Sequence, residues 1–249
     1  MARLAVRTAI LAVFGGLLWL SLSRLHYHWD WSVVWAYRAI FLSGLGMTLA
    51  VSLGAISLGL ACGLASGLAS VSGNIVLTEL AALYVGAFRG TPLLVQILIF
   101  YFCVGVVVQV DSPYLIGTAT LAFFSGAYIS EMVRAGVESV ERGQWETARS
   151  SGLTHRQTLF YVILPQAARR IVAPVTGQFV SCIKDSSLLS VISLRELTKA
   201  AEVVNATTYR TFESYLPLAL LYLLLTWPLS HLTRRLEKGI RNGTHYTPR

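Results

Sequence analysis

Gln144-Trp145-Glu146-Thr147-Ala148-Arg149-Ser150-Ser151-Gly152, followed after nine residues by Val162-Ile163-Leu164-Pro165, is a polar interruption in a chain otherwise made of apolar runs. Glu146, Ala148 and Gly152, with apolar Leu159, Phe160 and Ile163, can present a small amphipathic unit. Gly152 has no Cβ, so the chain can bend or approach a partner closely there. Thr154 can cap a second helical turn. Pro165 cannot continue that helix in its interior but can open the next one. A unit of this kind between two apolar runs is a candidate docking element.

Composition explains why the stretch stands out. Of 249 residues, 55% are hydrophobic and 13% charged, against about a quarter charged in soluble domains. Mean hydropathy is +0.61. Apolar surface in this excess has to be covered by lipid. The formal net charge is +8. Nucleic-acid binding needs such charge gathered in a stripe. Here the charges flank apolar runs, as anionic headgroups and the positive-inside bias favour. Cys62, Cys103 and Cys182 each lie in an apolar run, lack metal-ligand spacing and read as small buried side chains.

A helix crosses the hydrocarbon in about 20 residues. The apolar runs then give six spans: Ala5 to Ser23, Ile40 to Ser70, Leu80 to Val108, Tyr114 to Val137, Pro165 to Leu189 and Ser214 to Thr233. The expected fold class is an all-α membrane protein. The first run also fits a cleaved signal peptide, with Arg3 and Arg7 ahead of it and Ser21 and Ser23 at its end. That alternative leaves five spans. No internal repeat of solenoid length is present.

With six spans and the N-terminus inside, Arg3, Arg7, Arg134, Arg142, Arg149, Arg156, Arg169, Arg170, Arg234, Arg235, Lys238, Arg241 and Arg249 fall on the inner side. Arg24, Arg38, Arg195, Lys199 and Arg210 fall outside, and Arg89 and Lys184 within spans. This bias puts both termini and the Glu146 stretch in the cytoplasm. The turn Ser72 to Thr78 should share that side, yet it has no Lys or Arg.

The register Glu146-x-Ala148, Gly152, Leu164-Pro165 resembles the EAA loop of ABC-transporter permeases. Thr147 and Ser151, where small or apolar residues are usual, read as surface changes. In that family the loop is a short cytoplasmic helix that docks into an ATPase subunit. The resemblance narrows with Arg89-Gly90-Thr91-Pro92-Leu93-Leu94-Val95-Gln96, which is similar to a segment of polar amino-acid permeases. Gly126 to Gly136, Lys184 to Ile192 and Arg195-Glu196-Leu197-Thr198 are similar to the same subfamily. Together the likeness covers about Gly44 to Glu237.

The resemblance implies a type I ABC importer fold: a five-helix core plus one N-terminal helix. The first helix and an outer segment would occupy residues 1–38. A permease core would occupy 39–237 with the coupling loop at 143–165, and a cytoplasmic tail 238–249. Glu146, Ala148, Gly152, Leu164 and Pro165 would couple to ABC ATPase subunits, which hold ATP and Mg; this chain would bind no cofactor. A second permease copy or a sister permease and an extracytoplasmic amino-acid-binding protein complete the implied partners. The location implied is the bacterial cytoplasmic (inner) membrane, multi-pass.

Polar residues inside spans are the candidates for the substrate path. An ionised residue at a helix centre costs on the order of 3 kcal/mol, so Lys184 and Asp185 need a role. They project about 100° apart on a helix. Gln178, six residues before Lys184, is expected on a roughly similar face. Arg89, three residues before Pro92, is placed to satisfy carbonyls freed by the proline. Glu131 and Arg134 can pair at i, i+3. In relatives that import cationic amino acids, the position matching Gln178 is often Glu. A neutral Gln178 therefore implies a neutral or acidic polar substrate such as glutamine or glutamate. Arginine, lysine or histidine remain the alternative, and a channel or membrane enzyme a more distant one.

Enzyme signals are weak. No Gly-x-x-x-x-Gly-Lys-[Ser/Thr], His-Glu-x-x-His or Gly-x-Ser-x-Gly element is present. His26 and His28, among Tyr27, Trp29 and Trp31, read as part of an aromatic membrane-interface belt rather than a metal site.

Overall fold

The computed structural model describes residues 2–23 and 27–243, and every regular element among them is helical. We label the main helices α1 (Ala2–Ser23), α2 (Arg38–Ser70), α3 (Ile75–Arg89), α4 (Leu93–Ile99), α5 (Pro113–Glu138), α6 (Arg142–Ser150), α7 (Leu164–Asp185), α8 (Leu197–Thr208) and α9 (Thr211–Gly243). Arg24, His26 and Arg249 lie outside the described residues, as do the side chains of Arg3, Arg7, Ser21, Ser23, Lys238 and Arg241. Only the backbone of the 238–249 tail is described, and only to Gly243.

The centre of the molecule is the crossing of α2 and α5. Gly59, Gly63 and Gly67 recur every fourth residue on α2 and leave one face without side chains. A Cβ on Gly63 would meet Ile129 Cβ at 2.6 Å and the Gly126 carbonyl at 2.7 Å. In lipid, helices are held by such close contact and by short polar bridges. Ser130 Oγ donates to Ser66 Oγ at 3.0 Å across the crossing. Tyr84 of α3 donates to the Phe123 carbonyl of α5 at 2.6 Å. The buried core runs from Val51 and Ala55 of α2 through Leu121, Ile129 and Val133 of α5 to Ile163, Ala167 and Ile171 before and within α7.

Two described helices have both the length and the apolarity of a span, Arg38–Ser70 and Thr211–Arg235. A third span is available if α3 and the helix Leu93–Val108 count as one bent pair. α5 and α7 reach 26 and 22 residues. They are less apolar because protein, not lipid, covers much of them: Thr120, Ser125, Ser130 and Gln178 are buried. α9 is the opposite case, with Leu220, Leu223, Leu224 and Trp227 all more than half exposed.

The run Leu80 to Val108 is not one straight helix. The chain turns by 101° between α3 and α4. Pro92 has φ −64° and ψ 136°, extended rather than helical, and it has no N–H to continue the ladder. Beyond α4 the helix widens into a π-helical turn over Phe100–Val104 before Gly105–Val108.

α8 and the start of α9 close the opposite end. A Cβ on Gly44 would meet Ala200 Cβ at 2.8 Å, and Leu197 N donates to Thr48 Oγ1 at 3.1 Å. Fully buried Glu196 caps α8, accepting from Thr198 N and Lys199 N at 2.7 Å each and from Tyr222 of α9 at 2.9 Å. Residues 27–30 dock on α9: Tyr27 donates to buried Glu213, and Asp30 N donates to Glu213 Oε1 at 2.7 Å. Tyr27 and Trp29 pack on Phe212. The aromatics expected as an interface belt are thus partly a tertiary contact. Cys182 is buried, but Cys62 is only partly covered and Cys103 is exposed, against the reading of all three as buried.

Candidate coupling loop and translocation path

The spacing Ala148 to Gly152 has a geometric cause. α6 ends in a Schellman motif. Leu153 N donates to the Ala148 carbonyl at 3.3 Å, and Gly152 N donates to the Arg149 carbonyl at 3.0 Å. The motif needs a left-handed residue four positions after Ala148, and Gly152 has φ +85°. Nothing lies within 4 Å of where its Cβ would be. The glycine is required here by backbone conformation, not by crowding within this chain.

The next turn is set by Thr154. Gln157 N donates to Thr154 Oγ1 at 3.3 Å, and Thr154 N donates to Gln157 Oε1 at 2.9 Å, a reciprocal capping box. The helix so started does not stop at Pro165. It passes through a π-helical turn, Thr158–Ile163, and continues as α7 with Pro165 in its first turn. The wider turn accommodates a ring that would clash with a carbonyl of a regular helix.

The loop presents one polar face and buries the other. Ala148, Leu159 and Ile163 are buried, whereas Phe160 is 54% exposed and does not belong to the buried face expected for it. Glu146 is exposed and makes no hydrogen bond or ion pair among the described residues. Gln166 of α7 donates to Gln144 Oε1 at 3.2 Å. Arg170 of α7 donates to the carbonyl and, at 3.0 Å, the hydroxyl of Ser139, just ahead of α6. His155 stacks on Trp145 and reaches Val71 at the end of α2. This contact sets the uncharged turn before α3 beside the loop, so the two share one end of the bundle.

At the α3–α4 break, Arg89 does not serve the freed carbonyls. Gln96 does: its Nε2 donates to the Phe88 carbonyl at 2.7 Å, the Thr91 carbonyl at 3.0 Å and Thr91 Oγ1 at 2.8 Å. Gln96 is 5% exposed, so the apolar medium strengthens these bonds. Arg89 is left to point elsewhere. Its guanidinium lies 5.2 Å from the Tyr128 ring centre and 3.5 Å from Glu131. Glu131 also accepts from Arg134, Nε at 3.0 Å, and Arg134 pairs with Glu138 at 2.6 Å. Two segments 42 residues apart in sequence thus form one charge cluster, and the expected Glu131–Arg134 pair is its core.

The other path candidates are distributed differently from expectation. Gln178 is 7% exposed and turned into the bundle, whereas Lys184 is exposed. Six residues advance a helix by about 240° net of full turns, so the two do not share a face. Lys184 lies in the last turn of α7 rather than at a helix centre, and Asp185 ends the helix, half-buried. The chain then tightens into the 3₁₀ turn Ser186–Ile192. Neither Lys184 nor Asp185 forms an ion pair among the described residues, and none joins them to Arg89. No cluster of three or more metal-ligating side chains occurs among the described residues.

Sequence reasoning did not single out Gln96, Trp145 or His155. A lone Gln in an apolar run four residues after a proline was the available signal for the first. The other two become visible only once the turn after α2 is folded against the loop.

Residues 55–242 match the family described as binding-protein-dependent transport system inner membrane component. The chain is 35% identical over 215 residues to the Escherichia coli K12 glutamine transport system permease protein GlnP, covering 85% of this chain and 98% of that one. Its fold is similar to the crystal structure of an amino acid ABC transporter with histidines, at 35% identity and TM-score 0.80, over 85% of this chain and 99% of that one. It also resembles an inward-facing form of the MetNI methionine ABC transporter, at 20% identity and TM-score 0.70, over 81% and 96% of the two chains. That second likeness carries the fold alone. With a bent-helix bundle, a capped loop in family register and a family match over three quarters of its length, this chain belongs to the binding-protein-dependent transport system inner membrane components, as an ABC-transporter permease subunit and not an enzyme.

Proposed function

We propose that this chain is the permease of an ATP-driven importer that moves a glutamine-like polar amino acid inward by alternating access. The observation that carries the reading is the coupling loop. A Schellman motif closes α6 and a capping box opens the turn after it, and Glu146 is left exposed and, among the described residues, without a partner, at one end of a bundle of membrane helices. Glu146, Ala148, Gly152, Leu164 and Pro165 hold that surface toward an ATPase subunit, which binds ATP and Mg. Closure of two such subunits displaces α6, and the bundle rocks between outward and inward states. A binding protein delivers the ligand from outside to a pair of permeases.

Gln178, Lys184, Asp185 and Arg89 are the groups this reading assigns to the path. Exposed Lys184 offers a charge to a substrate carboxylate and repels a cationic side chain. Together with the glutamine named for the relative at 35% identity, that favours a neutral side chain over arginine or lysine. Gln178→Glu is expected to shift preference from acidic or neutral toward cationic amino acids, about tenfold for a 1.4 kcal/mol change. The assay is uptake, or direct ligand binding, by the permease–ATPase complex without binding protein. An unchanged rate and ranking in Gln178→Glu, Lys184→Ala and Asp185→Ala together would move specificity to the binding protein.

Orientation is testable on its own. Cysteines introduced at Gln144 and Gly243 should label only from the cytoplasmic side, and those at Trp31 and Asn205 only from outside. Labelling of Gln144→Cys from outside would overturn both the orientation and the ATPase partnership.

A further inference from the structure

We infer that His155 is a positioning residue that pins the coupling loop to the α2–α3 turn, so that displacement of α6 is delivered to α2 and α3 as well as to α7. The inference rests on reading the Glu146 loop as the ATPase dock.

One imidazole makes two contacts in two segments, α6 and the turn after α2. It stacks on Trp145 of α6 with ring centres 5.3 Å apart and planes at 27°. Its Nε2 lies 3.4 Å from the Val71 carbonyl oxygen, 84 residues away in sequence. A Cβ on Gly73 would sit 3.6 Å from the ring. Val71 directly follows the last residue of α2, where carbonyls have no acceptor duty left within the helix. A carbonyl oxygen only accepts, so the contact is a hydrogen bond in the forms of the ring that carry a proton on Nε2. Gly73, at φ +74°, turns the chain back beneath the ring. Asn74 then caps α3, accepting from Val76 N at 3.0 Å.

Among the described residues, no other hydrogen bond or ion pair joins the turn to the loop. Ser72 to Thr78 contains no Lys or Arg, so it offers an ATPase no basic group. The remaining links from the loop, Gln144–Gln166 and Ser139–Arg170, lead to α7. His155 is thus the polar contact that reaches the α2–α3 turn, beside the apolar packing of Val71 and Trp145 on the shared core. A push arriving at Val71 travels far, because the α2 glycines let Ile129 and Val133 of α5 sit directly on the α2 backbone, and close-packed helices transmit displacement rather than absorb it. α3 carries the same push to Arg89 and its ion pair with Glu131, at the bend.

The test uses the whole complex, reconstituted with its ATPase and binding protein. His155→Ala is expected to keep the ATPase bound but to move about tenfold less substrate per ATP, a coupling loss within the usual range. His155→Phe keeps the stack and removes the donor, and it also guards against a folding defect in the alanine variant. Retained coupling in His155→Phe assigns the link to the stack, and lost coupling assigns it to the Nε2–H donor; both sustain the inference. A cysteine at exposed Ile75, with native thiols removed, reports the turn directly. Its labelling rate should change on nucleotide trapping in the parent and lose that response in His155→Ala. Unchanged substrate per ATP in both variants, or an intact labelling response, overturns the inference. So does loss of ATPase binding in His155→Ala, which would put the ring in the dock itself. The underlying reading fails by a different observation, an ATPase that stays bound to and stimulated by Glu146→Lys.

Discussion

Gly152→Val should abolish transport while leaving membrane insertion intact. Gly152 holds φ +85° at the end of α6, a region that costs an L-residue about 1–2 kcal/mol, and a β-branched one most. A valine relieves that strain by abandoning the left-handed turn. Leu153 N then leaves the Ala148 carbonyl, and α6 loses its register against Thr154 and α7. The surface around Glu146 moves with it. The expected readout is normal membrane abundance with loss of binding-protein-stimulated ATP hydrolysis or of ATPase association. Gly152→Asn separates the causes. Asn tolerates the left-handed region, and open space surrounds the Cβ position in this chain. If Asn restores transport, conformation is the requirement. If Asn is as inactive as Val, the ATPase approaches too closely for any side chain. Full transport by Gly152→Val at normal abundance would end the docking-helix reading.

Gly63→Val is expected to destroy the fold rather than the coupling. The new Cβ would lie 2.6 Å from Ile129 Cβ and 2.7 Å from a backbone oxygen of Gly126. Side-chain rotation cannot relieve a clash with backbone, so α2 and α5 must separate. Overpacking typically costs about 1–3 kcal/mol, and separation also breaks the Ser66–Ser130 bond. We expect little folded, monodisperse protein in detergent. Gly46→Val is the control on the same helix: it carries the same propensity cost but has nothing within 4 Å. Equal yield and thermal stability for the two variants would remove the glycine crossing as the organising contact.

The chain's membrane class, its helical content and the local turns of the Glu146 stretch were legible from residues alone. Apolar runs long enough to need lipid leave little choice of secondary structure, because every backbone group in hydrocarbon must be bonded within its own helix. The loop was legible because its signals are local: Ala148 and Gly152 are spaced by one Schellman motif, and Thr154 and Gln157 by one capping box. Pro92 marked the α3–α4 break for the same reason, though not its angle.

Long-range partners were not legible, because side-chain direction at a bend depends on where the chain goes next. Gln96 rather than Arg89 serves the Pro92 break since the 101° turn brings its amide back over Phe88 and Thr91. Arg89 is thereby free to meet Glu131 on another helix. Gln178 and Lys184 read as neighbours along α7, yet packing buries one and leaves the other exposed. His155 gains its partners only where the turn after α2 folds onto it. The sequence by itself determined what each segment is, through hydropathy and capping that act within a few residues. The tertiary structure alone decided which polar groups meet, because burial and pairing between segments dozens of residues apart are properties of the packed bundle.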